Sequence, residues 1–238
     1  MNRLFKVVTF LGLIVFSLSE SHTAETKPRI DSLPMYGQPA IPRPERLKKA
    51  DAAFIKKAAS GFSGDRKAAC VAWCEVGDEF FNKMKLDHAM RRYNQAWLLD
   101  PNSYLPFWGF GRVALQKDQF QEAVQHIDQA LLRCDDARQK PALLSDLASA
   151  YSFKARYQAG LSDADKAAAY AKANDCFAES LHLNPDYANG WTRWAMSLHR
   201  EGRNVESWEK LHQAQKGGAK NITREFLASL SASMPEPR

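Results

Sequence analysis

Residues 73–101 read WCEVGDEFFNKMKLDHAMRRYNQAWLLDP, and their pattern of small and large residues returns 34 positions later in residues 107–131, FWGFGRVALQKDQFQEAVQHIDQAL. Gly77 is matched by Gly111, and the alanines that follow are matched in the same way. A period of this length is typical of two short helices that form a hairpin and stack on the next hairpin, because one such pair cannot bury its apolar face alone. The sequence therefore predicts an all-α fold of stacked helical hairpins.

The first stretch resembles the tetratricopeptide repeat (TPR), in which small residues stand where the two helices approach and large residues fill the space between them. The residues that carry the resemblance in the first repeat are Trp73, Gly77, Phe80, Ala89, Tyr93, Ala96, Leu99 and Pro101. Those of the second repeat are Phe107, Gly111, Ala114, Ala123, Ile127, Ala130 and Leu131. The resemblance covers about residues 66–216 and implies an α-solenoid of about four TPR hairpins with capping helices at its N- and C-terminal ends.

The third repeat is longer than the others. Ala148 and Ala173 are 25 residues apart where Gly111 and Ala123 are 12 apart, so about 13 residues are inserted in this hairpin. The insert keeps helix-forming residues, which predicts two lengthened helices over residues 153–172 that project beyond the row of repeats. The fourth repeat then returns to the standard spacing.

The first 24 residues have the three parts of a secretory signal peptide. Arg3 and Lys6 form a basic start, an apolar run follows over residues 7–16, and small and polar residues come next. The alternative is an uncut signal anchor, but the apolar run is shorter than the roughly 20 residues of a membrane span. We predict cleavage near residues 20–25, export to the periplasm of a bacterium, and a mature chain with no integral membrane span.

Three further segments flank or precede the repeats. Residues 25–44 contain five prolines, which exclude a helix and favour an extended tether that holds the domain at a distance or lies across the solenoid. Apolar residues at three- and four-residue steps predict an N-terminal capping helix over 45–60. A similar pattern predicts a C-terminal capping helix over 219–234, which would cover the open apolar edge of the last repeat.

Composition and charge exclude several classes of protein. The 238 residues are 45% hydrophobic and 25% charged, which is typical of a soluble globular protein. The net charge of +6 is spread along the chain, whereas a nucleic-acid-binding protein concentrates its basic residues on one face. We therefore expect no nucleic-acid partner.

No residue pattern predicts catalysis, a cofactor or a metal. The histidines lack the paired spacing of metal ligands, and no serine lies in a Gly-x-Ser-x-Gly turn. Cys70 and Cys74 stand one helical turn apart, where a disulfide would be strained, and the sequence assigns no pairing to the four cysteines. The chain is predicted not to be an enzyme and to bind no small-molecule cofactor.

The TPR resemblance also implies which residues face the binding groove, because that family places them at fixed offsets along the first helix of each repeat. Those offsets select Cys74, Asp78, Phe81, Trp108, Arg112, Leu115, Ser145, Ser149, Ser152, Thr192, Met196 and His199. From these we take Asp78, Phe81, Trp108, Arg112, Leu115, Ser149, Met196 and His199 as the candidate protein-binding residues. The lining would combine an aromatic and basic patch at one end with a hydroxyl-rich wall further along.

Two of these assignments have structural alternatives. Trp108 follows Phe107, which already holds the packing position, so Trp108 either faces the groove beside Arg112 or packs against the N-terminal cap or the proline-rich tether. Asp78 and Arg112 either orient a partner or form a salt bridge between neighbouring helices.

The sequence thus predicts a non-catalytic adaptor or scaffold that binds a protein or peptide of the cell envelope through its groove or its lengthened hairpin. One alternative is a dedicated periplasmic inhibitor or immunity protein that neutralises a toxin or hydrolase. Another is a structural protein that associates with itself.

Overall fold

The computed structural model describes residues 29–237, in which it places ten α-helices and no strand. The signal peptide predicted for residues 1–24 lies outside this range. The helices are α1 Glu45–Ser60, α2 Arg66–Asn82, α3 Leu86–Leu99, α4 Tyr104–Gln116, α5 Phe120–Arg133, α6 Lys140–Tyr157, α7 Asp163–Leu183, α8 Ala188–Glu201, α9 Asn204–Lys216 and α10 Arg224–Ser233. Two short 3₁₀ turns, Ile30–Ser32 and Pro34–Gly37, precede them.

The helices pair in sequence and stack as an all-α solenoid of four TPR-like hairpins, as the 34-residue period predicts. Helices α2 and α3, α4 and α5, α6 and α7, and α8 and α9 form the hairpins. The first helices also contact one another in the order α2, α4, α6 and α8, and each second helix packs on the first helix of the next hairpin. Helix α1 covers α2 and α3 at one end, and α10 packs on α9 at the other.

Close approach between the hairpins depends on glycines that face one buried tyrosine. A Cβ atom at Gly77 or Gly109 would lie 2.5 Å from ring atoms of Tyr93, so α2 and α4 can flank α3 only if both positions lack a side chain. Tyr93 is itself fully buried and meets Phe110 edge to face at a centroid distance of 6.5 Å. The small residues of the repeat are therefore required by packing.

Polar side chains cap the N-termini of several helices. Asp65 accepts hydrogen bonds from the backbone N–H groups of Lys67 and Ala68 at the start of α2. Ser162 and Asp165 form a reciprocal capping box at the start of α7. The first cap fixes where the first hairpin begins, and the second fixes the turn of the third hairpin.

The third hairpin is longer than its neighbours, and the start of its insert packs on them. Helices α6 and α7 have 18 and 21 residues, against 13 and 14 in α4 and α5. The Phe153 ring stacks on Phe120 of the second hairpin at 6.5 Å, and the guanidinium carbon of Arg200 in the fourth lies 4.3 Å from the Phe153 centroid. The start of the insert therefore packs on both adjacent hairpins, while most residues around the turn, over 156–168, are exposed. Projection of the tip stays a prediction.

Over the part that the structure describes, the proline-rich segment forms tight turns and is not an extended chain. Of the two placements considered for it, this part lies against the solenoid. Residues 29–41 fold into the two 3₁₀ turns and lie against α3. The buried Asn94 donates to the carbonyl oxygens of Asp31 and Leu33 at 3.2 and 2.8 Å and accepts from the Tyr36 N–H at 3.2 Å. Prolines exclude a helix here but permit tight turns, and Asn94 supplies the hydrogen bonds that such turns leave open.

Residues 29–237 contain neither a membrane-spanning helix nor a cluster of metal ligands. No helix there is both long enough and apolar enough to cross a membrane. No group of three or more His, Cys, Asp or Glu side chains in the same range is arranged to hold a metal ion. All four cysteines carry free thiols, and Cys70, Cys74 and Cys134 are buried.

Candidate protein-binding face

The first helices α2, α4, α6 and α8 lie side by side and form one continuous surface, which we call the first-helix face. It is the surface on which the TPR resemblance places a groove. Seven of the eight candidate residues are half-buried side chains of α2, α4 and α8, and Ser149 belongs to α6.

Asp78 and Arg112 join α2 to α4. The Nη1 atom of Arg112 donates to Oδ1 of Asp78 at 2.8 Å, and the Tyr93 hydroxyl donates to the same oxygen at 2.7 Å. The Arg112 guanidinium also lies 4.2 Å from the centre of the Phe81 ring. Burial, followed by the hydrogen bond to the Asp78 carboxylate, raises the pKa of Tyr93, so this hydroxyl stays protonated and remains a donor. Of the two alternatives for Asp78 and Arg112, the structure shows the salt bridge.

Trp108 contacts the third hairpin, and neither alternative proposed for it from the sequence describes this contact. Its indole Nε1–H donates to Oδ2 of Asp146 on α6 at 2.7 Å, and its ring lies 6.5 Å from that of Tyr104. Arg193 of α8 donates to the other oxygen of Asp146. One half-buried carboxylate therefore links α4, α6 and α8.

The serines of α6 do not form the exposed, hydroxyl-rich wall expected from the sequence. Ser145 and Ser152 are fully buried, and the Ser149 hydroxyl donates to the Ser145 carbonyl oxygen at 2.8 Å within its own helix. Helix α6 instead presents Asp146, one residue away from the offset that the TPR pattern selects. The expected wall is wrong because Ser145 and Ser152 face the core, while Asp146, 34 residues after Arg112, holds the same repeat position as Arg112.

Met196 and His199 lie at an open cleft of about 580 Å³ between the end of α6, the second half of α8, and α10. His199 is held at both ring nitrogens, with Nδ1 2.8 Å from Oδ1 of Asn204 and Nε2 2.8 Å from Oγ of Ser229. It therefore connects α8 to the capping helix α10. The cleft is also lined by Arg156, Tyr157, Arg200 and Phe226.

The side chains of Phe81 and Leu115 are each partly buried in the core. Both pack against the main buried cluster and leave part of their surface exposed on the first-helix face. Such half-buried apolar residues between fixed polar groups are typical of contact surfaces for proteins.

Comparison with known proteins adds little to this geometry. No family model matches the chain, and no curated protein matches it. Among solved structures the chain is similar to the crystal structure of MamA, with 13% sequence identity and a TM-score of 0.48 over 76% of this chain and 98% of that chain. A likeness this distant carries no functional argument.

Asp146, Arg193 and Arg200 were not selected from the sequence. Asp146 and Arg193 are 47 residues apart, which is one period of 34 enlarged by the insert of the third repeat. Asp78 and Arg112 are 34 apart. Opposite charges spaced by one repeat were therefore the signal that could have revealed the links between first helices.

Proposed function

We propose that this chain is an exported, non-catalytic interaction module that binds a protein or peptide of the bacterial cell envelope through its first-helix face. The repeat fold supports this proposal, because stacked hairpins create an extended surface that one compact partner can contact at several places. The sequence of residues 1–24 supports export to the periplasm.

The observation that carries the proposal is the set of polar links along the first-helix face. Arg112 is fixed by Asp78, and Trp108 and Arg193 are fixed by Asp146. Since these side chains hold their positions without a partner, binding costs less conformational entropy than it would on a mobile surface. The partly exposed surfaces of Phe81, Leu115 and Met196 would then supply apolar contact area, while the links set its shape.

Site-specific photo-crosslinking in the living cell tests this assignment. A photoreactive amino acid is placed at Leu115 or Met196 on the first-helix face, and at Leu132 or Val205 on the second helices α5 and α9 as matched controls. Leu132 and Val205 are 73% and 50% exposed, so the probe is accessible at both. We expect a partner adduct from the first pair only.

The other results would contradict the proposal in distinct ways. Adducts from Leu132 and Val205 alone would place the partner on the second helices. An adduct between two copies of this chain would favour self-association. A single partner enzyme whose activity is abolished at equal stoichiometry would favour the inhibitor alternative over an adaptor.

A further inference from the structure

The cleft between α6, α8 and α10 contains two arginines, Arg156 and Arg200, that form no ion pair with any residue that the structure describes. The other arginines of the first-helix face differ in this respect. Arg112 and Arg193 each bind a carboxylate. Across residues 29–237, no acidic side chain lies within ion-pair distance of Arg156 or Arg200. This difference distinguishes the cleft from the rest of the first-helix face.

Arg200 is half-buried and has no carboxylate partner in the described part of the chain. Its guanidinium lies over the Phe153 ring at 4.3 Å, makes a long hydrogen bond of 3.5 Å to the Ser152 hydroxyl, and lies close to the Tyr157 hydroxyl. Burial lowers the pKa of Arg200, since desolvation is the largest influence on it and no carboxylate offsets that cost. A guanidinium has five N–H donors in a planar fork that matches a carboxylate, so most of its binding capacity is still available to a ligand.

The surroundings of Arg200 define what else a ligand would contact. Tyr157 is 56% exposed at the end of α6, and Met196 and Phe226 form apolar walls of the same cleft. The exposed Arg156 precedes Tyr157 and adds a second positive charge. Glu225 on α10 is the one acidic residue of the lining, and both nitrogens of His199 are already engaged.

We propose that this cleft binds an acidic segment of the partner protein, with a side-chain carboxylate on Arg200 and Arg156 and a neighbouring apolar side chain against Tyr157 and Met196. The inference rests on the proposed function and adds to it the chemistry of the bound segment. The negative charge of Glu225 repels such a ligand and lowers its affinity. Removing that charge should therefore strengthen binding, whereas removing either arginine should weaken it.

Selection from a random library of short displayed peptides, followed by fluorescence anisotropy with the best synthetic peptide, tests the proposal on the purified protein. We expect the selected peptides to be enriched in Asp and Glu next to an apolar residue. Binding should weaken about tenfold in Arg200→Gln and several-fold in Arg156→Gln, because each removes a charge-assisted contact. It should strengthen in Glu225→Gln and weaken at high salt.

The controls separate a local site from net charge and from misfolding. Arg46→Gln removes the same charge from the exposed surface of α1 at the other end of the solenoid and should leave the affinity unchanged. Arg200→Lys keeps the charge but loses the planar fork, so it should bind at an intermediate level. Arg156 is exposed, so its variant tests the cleft even if Arg200→Gln does not fold.

Three outcomes would overturn the inference: no peptide enriched by the library, enriched peptides without acidic residues, or an equal effect of Arg156→Gln and Arg46→Gln. None of them would overturn the proposed function, because crosslinking from Leu115, which lies outside this cleft, tests it independently, and Met196 adds a position at the cleft wall. A partner adduct at those two positions, together with non-acidic peptides, would retain the binding face and reject the acidic segment.

Discussion

Asp78 and Arg112 hold the same position in consecutive repeats, and they form an ion pair of 2.8 Å that joins the first helices of those repeats. The pair shares one carboxylate oxygen with the hydroxyl of the buried Tyr93. A position at which the TPR family has a groove residue is therefore used here to connect two hairpins.

The two members of this pair should contribute unequally to stability. We expect Arg112→Ala to cost less than about 1 kcal/mol, because Asp78 is 46% exposed and surface ion pairs are weak. Asp78→Ala should cost about 1 kcal/mol more, since it also removes the acceptor of the Tyr93 hydroxyl. Urea denaturation measures both, and in a Tyr93→Phe background the difference should shrink. Equal costs in both backgrounds would contradict this assignment.

The Asp146 link should be the stronger one. Asp146→Ala removes the acceptor of both Trp108 and Arg193, and we expect it to lower the free energy of unfolding by about 2 kcal/mol. A double-mutant cycle with Arg193→Ala should give a coupling of about 1–2 kcal/mol, because the two side chains are in direct contact. Additive losses would show that the contact contributes nothing to stability. Asp146→Asn, which keeps one acceptor oxygen, should lose less.

Asn94 should control the docking of the N-terminal segment. Asn94→Ala removes three hydrogen bonds to residues 29–41, and we expect a loss of about 2 kcal/mol together with faster hydrogen exchange at the Tyr36 amide. Asn82→Ala, at the exposed end of α2, is the matched control and should change neither quantity. Unchanged exchange at Tyr36 in the Asn94 variant would show that other contacts hold the segment.

Gly109 should not tolerate even a methyl group. A Cβ there would lie 2.5 Å from Tyr93, whose ring is buried and whose hydroxyl is held by Asp78, so Gly109→Ala should cost about 1–3 kcal/mol. Gly61→Ala is the control, because its Cβ would come no closer than 3.5 Å to the Ala58 carbonyl oxygen. Thermal unfolding would distinguish them, and equal midpoints would contradict the close packing described above.

His126 should make the fold sensitive to mild acid. Burial lowers its pKa to about 4 from the ordinary value of 6.5, against a small opposing influence of Glu122. The unfolded chain therefore binds a proton more readily than the folded chain, so the stability is fully present above pH 6.5 and is lost as the pH falls towards 4. Between about pH 7 and about pH 5 this loss should be about 2 kcal/mol.

Urea denaturation across this range checks the effect of His126. His126→Gln should flatten the pH dependence by that amount, whereas His182→Gln, on the exposed surface of α7, should leave it unchanged. If both variants kept the slope of the original protein, the pH dependence would have to come from other groups.

The fold was largely predictable because the same packing contacts require small residues at the same position of successive repeats. Gly77 and Gly111, like the alanines that follow them, are small because another helix lies against them, and the same contact recurs in each repeat. The lengthened third hairpin was predictable from the distance between Ala148 and Ala173. What could not be predicted was how the start of the insert packs, since that depends on contacts of Phe153 with two other hairpins.

The candidate site was less predictable, for a related reason. Offsets along a helix state which way a side chain points, but not whether a neighbouring repeat already supplies its partner. Trp108 and Arg112 stand on the expected helix, yet their polar atoms bind Asp146 and Asp78. The hydrogen bonds of Asn94 join residues about 60 positions apart, and no local pattern marks them.

The docking of residues 29–41 on α3 also determines how the solenoid would be oriented on any support. Helix α3 belongs to the layer of second helices, so residues 29–41 lie on the side of the solenoid opposite the first-helix face. If the protein is held through that part of its chain, its second helices face the support. The surface that carries Phe81, Leu115 and the cleft at Arg200 would then point outward, accessible to a partner arriving from solution.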